Sequence, residues 1–408
     1  MSGTNSHRRS LAPGAALALT LTLGASLTAC HSRGASVELY PENDAAARQV
    51  VELVFKQRLT LPDNFVLRPD EFAGVSTDHK RGVLYVGSRE GTLFALDGNR
   101  GTVQWEIPIS GSISSVPVFT EGGDVLVFGS DNGALVALDL ESHKPRWSYE
   151  TPGTIRNEPL VHGGIVYFAN SRDQIYALDL ESGDWRWQYP ADESLFQTNF
   201  TVHGRSGLAF LDLGDGVSSD GVVFSGFDDG RVVALGANSG VPLWTASVAP
   251  PERGDFVDAD GTPLVDVEAD ELIVSGESTG VFGLALDDGA QRWHKPVKGA
   301  GTVVAGPGGV YVFTSSLEGI YGIERGGRER WHQQVDPGVL SMPVVVGDVV
   351  FVTHSDAGLL ALDARTGEFL ARLDTGSGIS SVPSYDPQTQ RFYTITNRGD
   401  LLAFVVNT

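Results

Sequence analysis

Short apolar runs alternate with glycine-containing turns along most of the chain, and the same unit returns about every 40 residues. In its first copy two apolar runs, residues 83–87 and 93–96, flank a turn at Glu90 and Gly91, and an aspartate and a tryptophan follow. Alternating apolar positions in runs of this length predict strands, and the glycine predicts a hairpin between them. Several short strands per unit at this period indicate a β-propeller rather than a helical solenoid.

A tryptophan marks the end of most units. Successive tryptophans lie 42, 40, 57, 49 and 38 residues apart, and their positions are Trp105, Trp147, Trp187, Trp244, Trp293 and Trp331. We expect these side chains to pack between neighbouring blades rather than to hold a ligand. In the seventh unit Leu373 is predicted to take the tryptophan position, and an eighth, unfinished unit runs from Phe392 to Val406.

The last unit has three predicted strands and lacks a fourth. Its innermost strand is predicted at residues 379–384, just as residues 114–118 are predicted to be innermost in the second unit. Residues 53–59 resemble an outermost strand, and we expect them to complete the last blade and close the ring. The sequence therefore predicts an all-β, eight-bladed propeller of four-stranded blades over residues 50–408. Seven blades is the alternative, if one degenerate unit is not a blade.

The N-terminal residues have the pattern of a secretory signal. Two arginines precede an apolar segment at residues 11–27, and the only cysteine of the 408-residue chain follows at Cys30. The apolar segment is too short for a typical membrane span. Residues 27–30 resemble the bacterial lipobox, which implies a signal peptide at 1–29, a lipidated Cys30 and a flexible tether at 30–49. An ordinary signal peptide with an incidental cysteine is the alternative.

Charge and motif content argue against several function classes. A net charge of −22 would repel nucleic acid. The histidines form none of the common zinc-ligand patterns, and residues 258–261 are similar to only part of a calcium loop. Residues 276–280 match the G-x-S-x-G pattern of hydrolases, but they stand where other units have a hairpin. We therefore predict no catalytic residue, no metal and no cofactor.

Two connections between units are longer than the others. One holds Phe200 and Val202, and the next holds Asp258 and Asp260. Such connections emerge on one face of a propeller, and insertions on one face of a repeat protein commonly form its binding surface. We expect the two segments to converge from adjacent blades into a partner-binding site. The alternative is that Phe200 and Val202 only cover the strands beneath them.

The repeat resembles that of quinoprotein propellers, as residues 178–187 illustrate. Quinone-dependent dehydrogenases of that type carry a vicinal disulfide, which a chain with one cysteine lacks, so an oxidoreductase that uses pyrroloquinoline quinone (PQQ) is the least favoured reading. The lipobox, the repeats and the closing strand together resemble the BamB family of outer-membrane assembly lipoproteins. This resemblance covers about residues 50–406 and is most specific between 198 and 265.

The resemblance implies a function and a partner. BamB proteins belong to the β-barrel assembly machinery at the periplasmic face of the outer membrane, and they contact BamA. By resemblance, Phe200, Val202, His203, Asp258 and Asp260 take part in that contact, although His203 stands where the family has an arginine, which can fork to a carboxylate. We expect a non-enzymatic, lipid-anchored scaffold, a monomeric propeller within a hetero-complex. A propeller that serves another periplasmic complex or binds an envelope polymer is the alternative.

Overall fold

Eight four-stranded antiparallel sheets form the part of the chain that the computed structural model describes, residues 50–59, 74–120, 122–190, 207–214, 220–249, 257–259 and 261–407. In chain order the strands are β1 (Val51–Arg58); β2 (Val75–Asp78), β3 (Val83–Gly87), β4 (Thr92–Asp97) and β5 (Val103–Pro108) of blade 1; β6 (Val118–Phe119), β7 (Val125–Gly129), β8 (Ala134–Asp139) and β9 (Lys144–Glu150) of blade 2; β10 (Leu160–His162), β11 (Ile165–Asn170), β12 (Gln174–Asp179) and β13 (Trp185–Tyr189) of blade 3; β14 (Ala209–Asp212), β15 (Gly221–Gly226), β16 (Arg231–Gly236) and β17 (Pro242–Ser247) of blade 4; β18 (Leu264–Asp266), β19 (Glu271–Gly276), β20 (Gly280–Ala285) and β21 (Gln291–Lys295) of blade 5; β22 (Ala300–Gly306), β23 (Val310–Ser315), β24 (Gly319–Glu324) and β25 (Glu329–Gln333) of blade 6; β26 (Val344–Val346), β27 (Val349–His354), β28 (Gly358–Asp363) and β29 (Phe369–Leu373) of blade 7; and β30 (Ser384–Asp386), β31 (Arg391–Ile395) and β32 (Asp400–Val406) of blade 8.

The blades are arranged as a closed ring. Neighbouring blades pack against one another around the ring, as blades 1 and 2 and blades 3 and 4 do through shared core clusters, and β2 of blade 1 contacts β30 of blade 8. In blade 8 the outermost strand is β1, which pairs antiparallel with β32. These findings confirm the predicted eight-bladed propeller and its closure by the N-terminal strand, which was expected at residues 53–59 and lies at Val51–Arg58.

The core of the molecule lies between blades rather than within one layer. In β3, Val83 and Tyr85 pack against blade 2, whereas Leu84 and Val86 pack against blade 8. Because successive side chains of a strand point to opposite faces, a strand flanked by two blades buries both faces. This is why the second and third strands of the units read as almost continuous apolar runs.

The repeated tryptophans join consecutive blades, which confirms the prediction. In four blades the indole Nε1 donates a hydrogen bond to a backbone carbonyl that follows the third strand of the next blade: Trp147 to Leu180 (3.0 Å), Trp187 to Ala237 (2.8 Å), Trp244 to Leu286 (2.9 Å) and Trp331 to Ala364 (3.0 Å). Each of these indoles also lies against a glycine of the next blade, and a Cβ atom on Gly183 would come within 2.7 Å of the Trp147 ring. The contact between consecutive blades therefore depends both on the tryptophan of one blade and on the glycine in the turn of the next blade.

The predicted tryptophan position of blade 7 is wrong by two residues. The tryptophan of blade 6 faces a glycine of the third strand, Trp331 opposite Gly322, and in blade 7 the same register brings Ala371, not Leu373, opposite Ala361. Blade 8 takes its fourth strand from the N-terminal segment, so it has no turn between its third and fourth strands against which a tryptophan of blade 7 could pack. The side chain of Ala371 instead packs in a core cluster that contains Val51.

The innermost strands begin later than predicted. Residues 114–118 were expected to be a strand, but β6 starts only at Val118; likewise β30 starts at Ser384, the last residue of the predicted segment 379–384. Pro117 has no N–H to donate to a ladder. Instead of a backbone ladder, the Ser115 hydroxyl pairs with the neighbouring strand: it accepts a hydrogen bond from the Gly129 N–H (2.8 Å) and donates one to the Gly129 carbonyl (3.0 Å).

The aspartate that ends each typical third strand stabilises the following turn. Oδ1 of Asp139 accepts hydrogen bonds from the backbone N–H (2.8 Å) and the hydroxyl (2.8 Å) of Ser142, and Oδ2 accepts one from Arg146. The hydrogen bonds from Ser142 and then from Arg146 hold the pKa of Asp139 far below its ordinary value. The aspartate of the repeated Leu-Asp pair therefore serves to stabilise the turn that follows it.

Candidate functional site on the hairpin face of blades 3 to 5

The hairpins between second and third strands lie at the same end of the blades as the connections to the next blade. We call the hairpin face the surface formed in blades 3 to 5 by the hairpins 171–173, 227–230 and 277–279 together with residues 257–259. Residues 257–259 lie between the hairpins of blades 4 and 5, because the Ala259 N–H donates to the Phe227 carbonyl (2.9 Å) and the Thr279 hydroxyl donates to the Asp258 carbonyl (3.1 Å).

Asp258 is held in place by the hairpin of blade 5. Its Oδ2 accepts a hydrogen bond from the Glu277 N–H (2.9 Å), and its Oδ1 accepts bonds from the Ser278 N–H (3.1 Å) and the Ser278 hydroxyl (2.9 Å). The side chain is half-buried. A carboxylate has about four acceptor positions, so these three bonds orient the group and still leave room for an external donor.

Two glycines allow residues 257–259 to pass this close to the blades. A Cβ atom on Gly226 would lie 1.7 Å from the Ala259 carbonyl oxygen, and one on Gly276 would lie 1.9 Å from the Asp258 carbonyl oxygen. Any side chain at either position would push the segment away from the hairpins. The role of these two glycines cannot be recognised from the sequence, because glycine at a strand end looks the same as glycine in an ordinary turn.

Most of the predicted site residues lie outside the described residues. These are Cys30, Phe200, Val202, His203 and Asp260. The predicted signal peptide at 1–29 and the tether at 30–49 lie outside them as well. Asp258 is thus the one predicted partner-binding residue whose surroundings are known. The convergence of the two long connections therefore stays a prediction, supported here by the position of residues 257–259 between blades 4 and 5.

The G-x-S-x-G match at residues 276–280 is a repeat hairpin, as expected, because it joins β19 to β20. Its Ser278 hydroxyl donates to Asp258, and the nearby His294 ring contacts the Thr279 carbonyl (2.7 Å) rather than the serine. The nucleophile of the G-x-S-x-G pattern sits on a strand-to-helix turn with a histidine base near its hydroxyl. Ser278 instead lies in a β-hairpin, and its hydroxyl is bonded to a carboxylate that also accepts backbone hydrogen bonds of the same hairpin.

Candidate metal and membrane sites can be judged only within the described ranges. There, no group of three or more His, Cys, Asp or Glu side chains is arranged so that it could hold a metal ion. In the same ranges, no helix is long and apolar enough to cross a membrane.

The sequence matches the family model described as outer membrane protein assembly factor BamB, over residues 67–123, 119–326 and 279–408. The chain belongs to the BamB family. It is 27% identical over 207 residues to the outer membrane protein assembly factor BamB of Legionella pneumophila. The aligned residues cover 49% of this chain and 52% of that protein. The BamB of Pseudomonas aeruginosa is 28% identical over 199 residues, or 45% of this chain and 49% of that protein. The chain thus spans about half the length of the curated relatives it matches.

Solved structures share the fold at lower identity. The crystal structure of BamB from Moraxella catarrhalis matches with a TM-score of 0.70 and 21% identity, over 87% of this chain and all (100%) of that one. A quinohemoprotein alcohol dehydrogenase from Pseudomonas putida matches with a TM-score of 0.66 and 14% identity, over 88% of this chain and 76% of that one. At these identities the likeness concerns the propeller alone, and the second match shows that assembly factors and enzymes can share it.

Proposed function

We propose that this BamB-family protein is a non-enzymatic scaffold for the assembly of outer-membrane β-barrel proteins. The observation that carries the proposal is the family match, which extends from residue 67 to residue 408 and so includes every strand except β1. Several of its curated relatives bear the name outer membrane protein assembly factor. A propeller suits such a role because it is a rigid platform whose connections can vary without loss of the ring.

The proposed docking surface is the hairpin face, and the proposed partner is a BamA-like barrel-forming protein. Asp258 supports this assignment, because its carboxylate is fixed by three hydrogen bonds and its side chain is half-buried at the edge of blade 5. A preoriented carboxylate loses little conformational entropy on binding. Phe200, Val202, His203 and Asp260 are proposed to complete the surface from the same two connections.

The proposed location is the periplasmic face of the outer membrane. Cleavage before Cys30 and lipidation of its sulfur would anchor the protein, and residues 30–49 would then separate the anchor from the propeller. The sequence supports this with an apolar segment that ends at the single cysteine.

A pull-down from native membranes tests the function. The full chain is captured after mild crosslinking, and the crosslinked neighbours are identified by mass spectrometry. We expect a BamA-like protein among the major neighbours. Capture of peptidoglycan-associated or secretion proteins without it would favour the alternative, a propeller that serves another envelope complex.

The remaining alternative, a quinone-dependent oxidoreductase, has its own test. Addition of pyrroloquinoline quinone and calcium to the purified protein should leave the cofactor's absorption spectrum unchanged. A shifted spectrum with turnover of an alcohol would contradict the scaffold proposal.

A further inference from the structure

Asp173 stands at a hairpin position where four other blades have glycine. In blades 1, 2, 4 and 8 the equivalent residues are Gly91, Gly133, Gly230 and Gly399, with φ of +78°, +89°, +77° and +75°. Asp173 adopts the same left-handed conformation, with φ of +57°. An aspartate tolerates this region better than most residues but still costs more than glycine. An exception to the repeat at a costly position suggests that the carboxyl group itself has a role.

The Asp173 side chain is buried without full compensation. Its exposed fraction is 5%, and among the described residues its Oδ1 atom has no hydrogen-bond partner. The backbone N–H of Asp228, on the hairpin of blade 4, donates a hydrogen bond to this carboxyl group. The Asp228 side chain also has an oxygen atom, Oδ2, that solvent does not reach. The hairpin of blade 4 at Asp228 therefore lies against the buried carboxyl group of Asp173, at the boundary between blades 3 and 4.

The charged groups that act on Asp173 within the described part come mainly from blade 4. They are Asp228, Asp229 and Arg231. Asp229 and Arg231 form an ion pair of their own (2.6 Å), and the arginine charge by itself lowers the pKa of Asp173. On the hairpin of blade 3 itself, Arg172 is exposed. Burial, and after it the charges of Asp228 and Asp229, raise the pKa of Asp173 to about 7.

We propose that Asp173 and Asp228 form a proton-operated clasp between blades 3 and 4. With one proton bound, the pair carries a single negative charge and the two hairpins stay in contact. When that proton leaves to solvent, two negative charges face each other in a site of low polarity, and the repulsion loosens the hairpin 227–230.

The clasp would act on the hairpin face through one hydrogen bond. The Phe227 carbonyl, next to Asp228, accepts the bond from Ala259 that holds residues 257–259 against blade 4. Ala259 is fully buried and follows Asp258 directly. Movement of the hairpin of blade 4 would therefore displace Asp258, whatever binds at that residue.

Carboxyl ¹³C NMR of the full chain, labelled at aspartate, tests the clasp directly. We expect the Asp173 signal to titrate with a midpoint near pH 7, and the Ala259 amide signal to shift with the same midpoint. In the Asp228→Asn variant the midpoint should fall, since one source of repulsion is gone. An Asp173 midpoint near pH 4 would overturn the proposal.

Thermal melting gives a second test that needs no partner, so its failure would leave the proposed function untouched. A raised pKa means that the folded state holds the proton more tightly than the unfolded chain, so stability is lost as pH rises from about 4 through about 7. Asp173→Asn should therefore melt at a higher temperature than the parent at pH 8 and at nearly the same temperature at pH 4. Equal melting temperatures at both pH values would contradict the clasp. So would an increase in the parent's melting temperature on addition of Mg²⁺ or Ca²⁺ that Asp173→Asn abolishes, because a cation rather than a proton would then neutralise the pair.

Discussion

Arg58 and Asp400 lie 342 residues apart in the chain and form an ion pair with two hydrogen bonds across β1 and β32. The Arg58 Nη2 atom lies 3.0 Å from Oδ2 of the aspartate, and Lys56 Nζ lies 2.9 Å from the same oxygen. The Asp400 side chain is buried. The strand that closes the ring is therefore held at one end by a carboxylate shared between two cations.

We predict that Asp400→Asn weakens ring closure in a pH-dependent way. Burial of the Asp400 carboxyl group would raise its pKa, but the hydrogen bonds from Arg58 and Lys56 together outweigh burial and lower the pKa. A lowered pKa contributes stability above the ordinary value of about 4, and this stability is lost as pH falls below it. Chemical denaturation at pH 7 should show a loss of about 1–3 kcal/mol.

The control for this variant is Asp348→Asn. Asp348 pairs with Arg365, but the two side chains are 58% and 59% exposed, so the change should cost less than about 0.5 kcal/mol. If Asp400→Asn were as mild as the control at pH 7, the ion pair would have no part in closing the ring.

Phe55 takes the place of the missing tryptophan in blade 8. It lies opposite Ala403 in the register, and its ring packs against Gly101 of blade 1. A Cβ atom on Gly101 would lie 2.4 Å from that ring, so we predict that Gly101→Ala destabilises the protein by about 2 kcal/mol or more. Gly82→Ala is the matched control, because Gly82 has a similar φ (+65° against +70°) and no atom within 4 Å of the added Cβ. Similar losses in both variants, measured by denaturation, would show that the Phe55 contact is unimportant.

The tryptophan hydrogen bonds can be tested within one strand. Trp187→Phe removes the donor to the Ala237 carbonyl and leaves that buried acceptor unsatisfied, which should cost about 1–3 kcal/mol. Trp185→Phe, two residues earlier in β13 and 57% exposed, should change stability by less than about 0.5 kcal/mol. Melting curves of the two variants that coincide would mean that the indole N–H does not link blades 3 and 4.

Much of the fold could be predicted because the same strand pattern occurs in every unit of the repeat. The 40-residue period, the tryptophans and the unfinished last unit together predicted the ring and its closing strand. The starts of the innermost strands were predicted too early. Before the proline, a serine hydroxyl, as at Ser115, makes the hydrogen bonds that a strand would make with its backbone, and the alternating sequence pattern does not distinguish these two kinds of pairing. Leu373 was misassigned because blade 7 packs on a composite blade and needs no aromatic residue at Ala371.

The candidate site was less predictable. The sequence could place Asp258 on a long connection, but not its hydrogen bonds to Glu277 and Ser278, which are residues of another unit. Asp173 was missed because it looks like a polar turn residue. Its burial depends on the hairpin of blade 4, more than 50 residues away in the chain.

Anchoring by Cys30 is the fourth prediction. Cys30→Ser removes the sulfur that would carry the lipid, so the folded protein should move from the membrane fraction to the soluble periplasm. Fractionation followed by immunoblotting measures this. A variant that still pelleted with membranes would show that the cysteine is not the anchor.

Capture of the partner from native membranes tests the proposed docking of the hairpin face on a BamA-like protein. The variant combines Phe200→Ala with Asp258→Ala. Its control, Val267→Ala with Glu268→Ala, likewise replaces one apolar and one acidic residue, but at the opposite end of blade 5, where Val267 is 65% and Glu268 is 82% exposed. His203→Arg should keep or strengthen capture, since it restores a forked donor. We expect the Phe200→Ala, Asp258→Ala variant to lose the partner and remain folded, and the control to retain the partner. Full capture by the Phe200→Ala, Asp258→Ala variant, with an unchanged melting curve, would show that the hairpin face is not the docking surface.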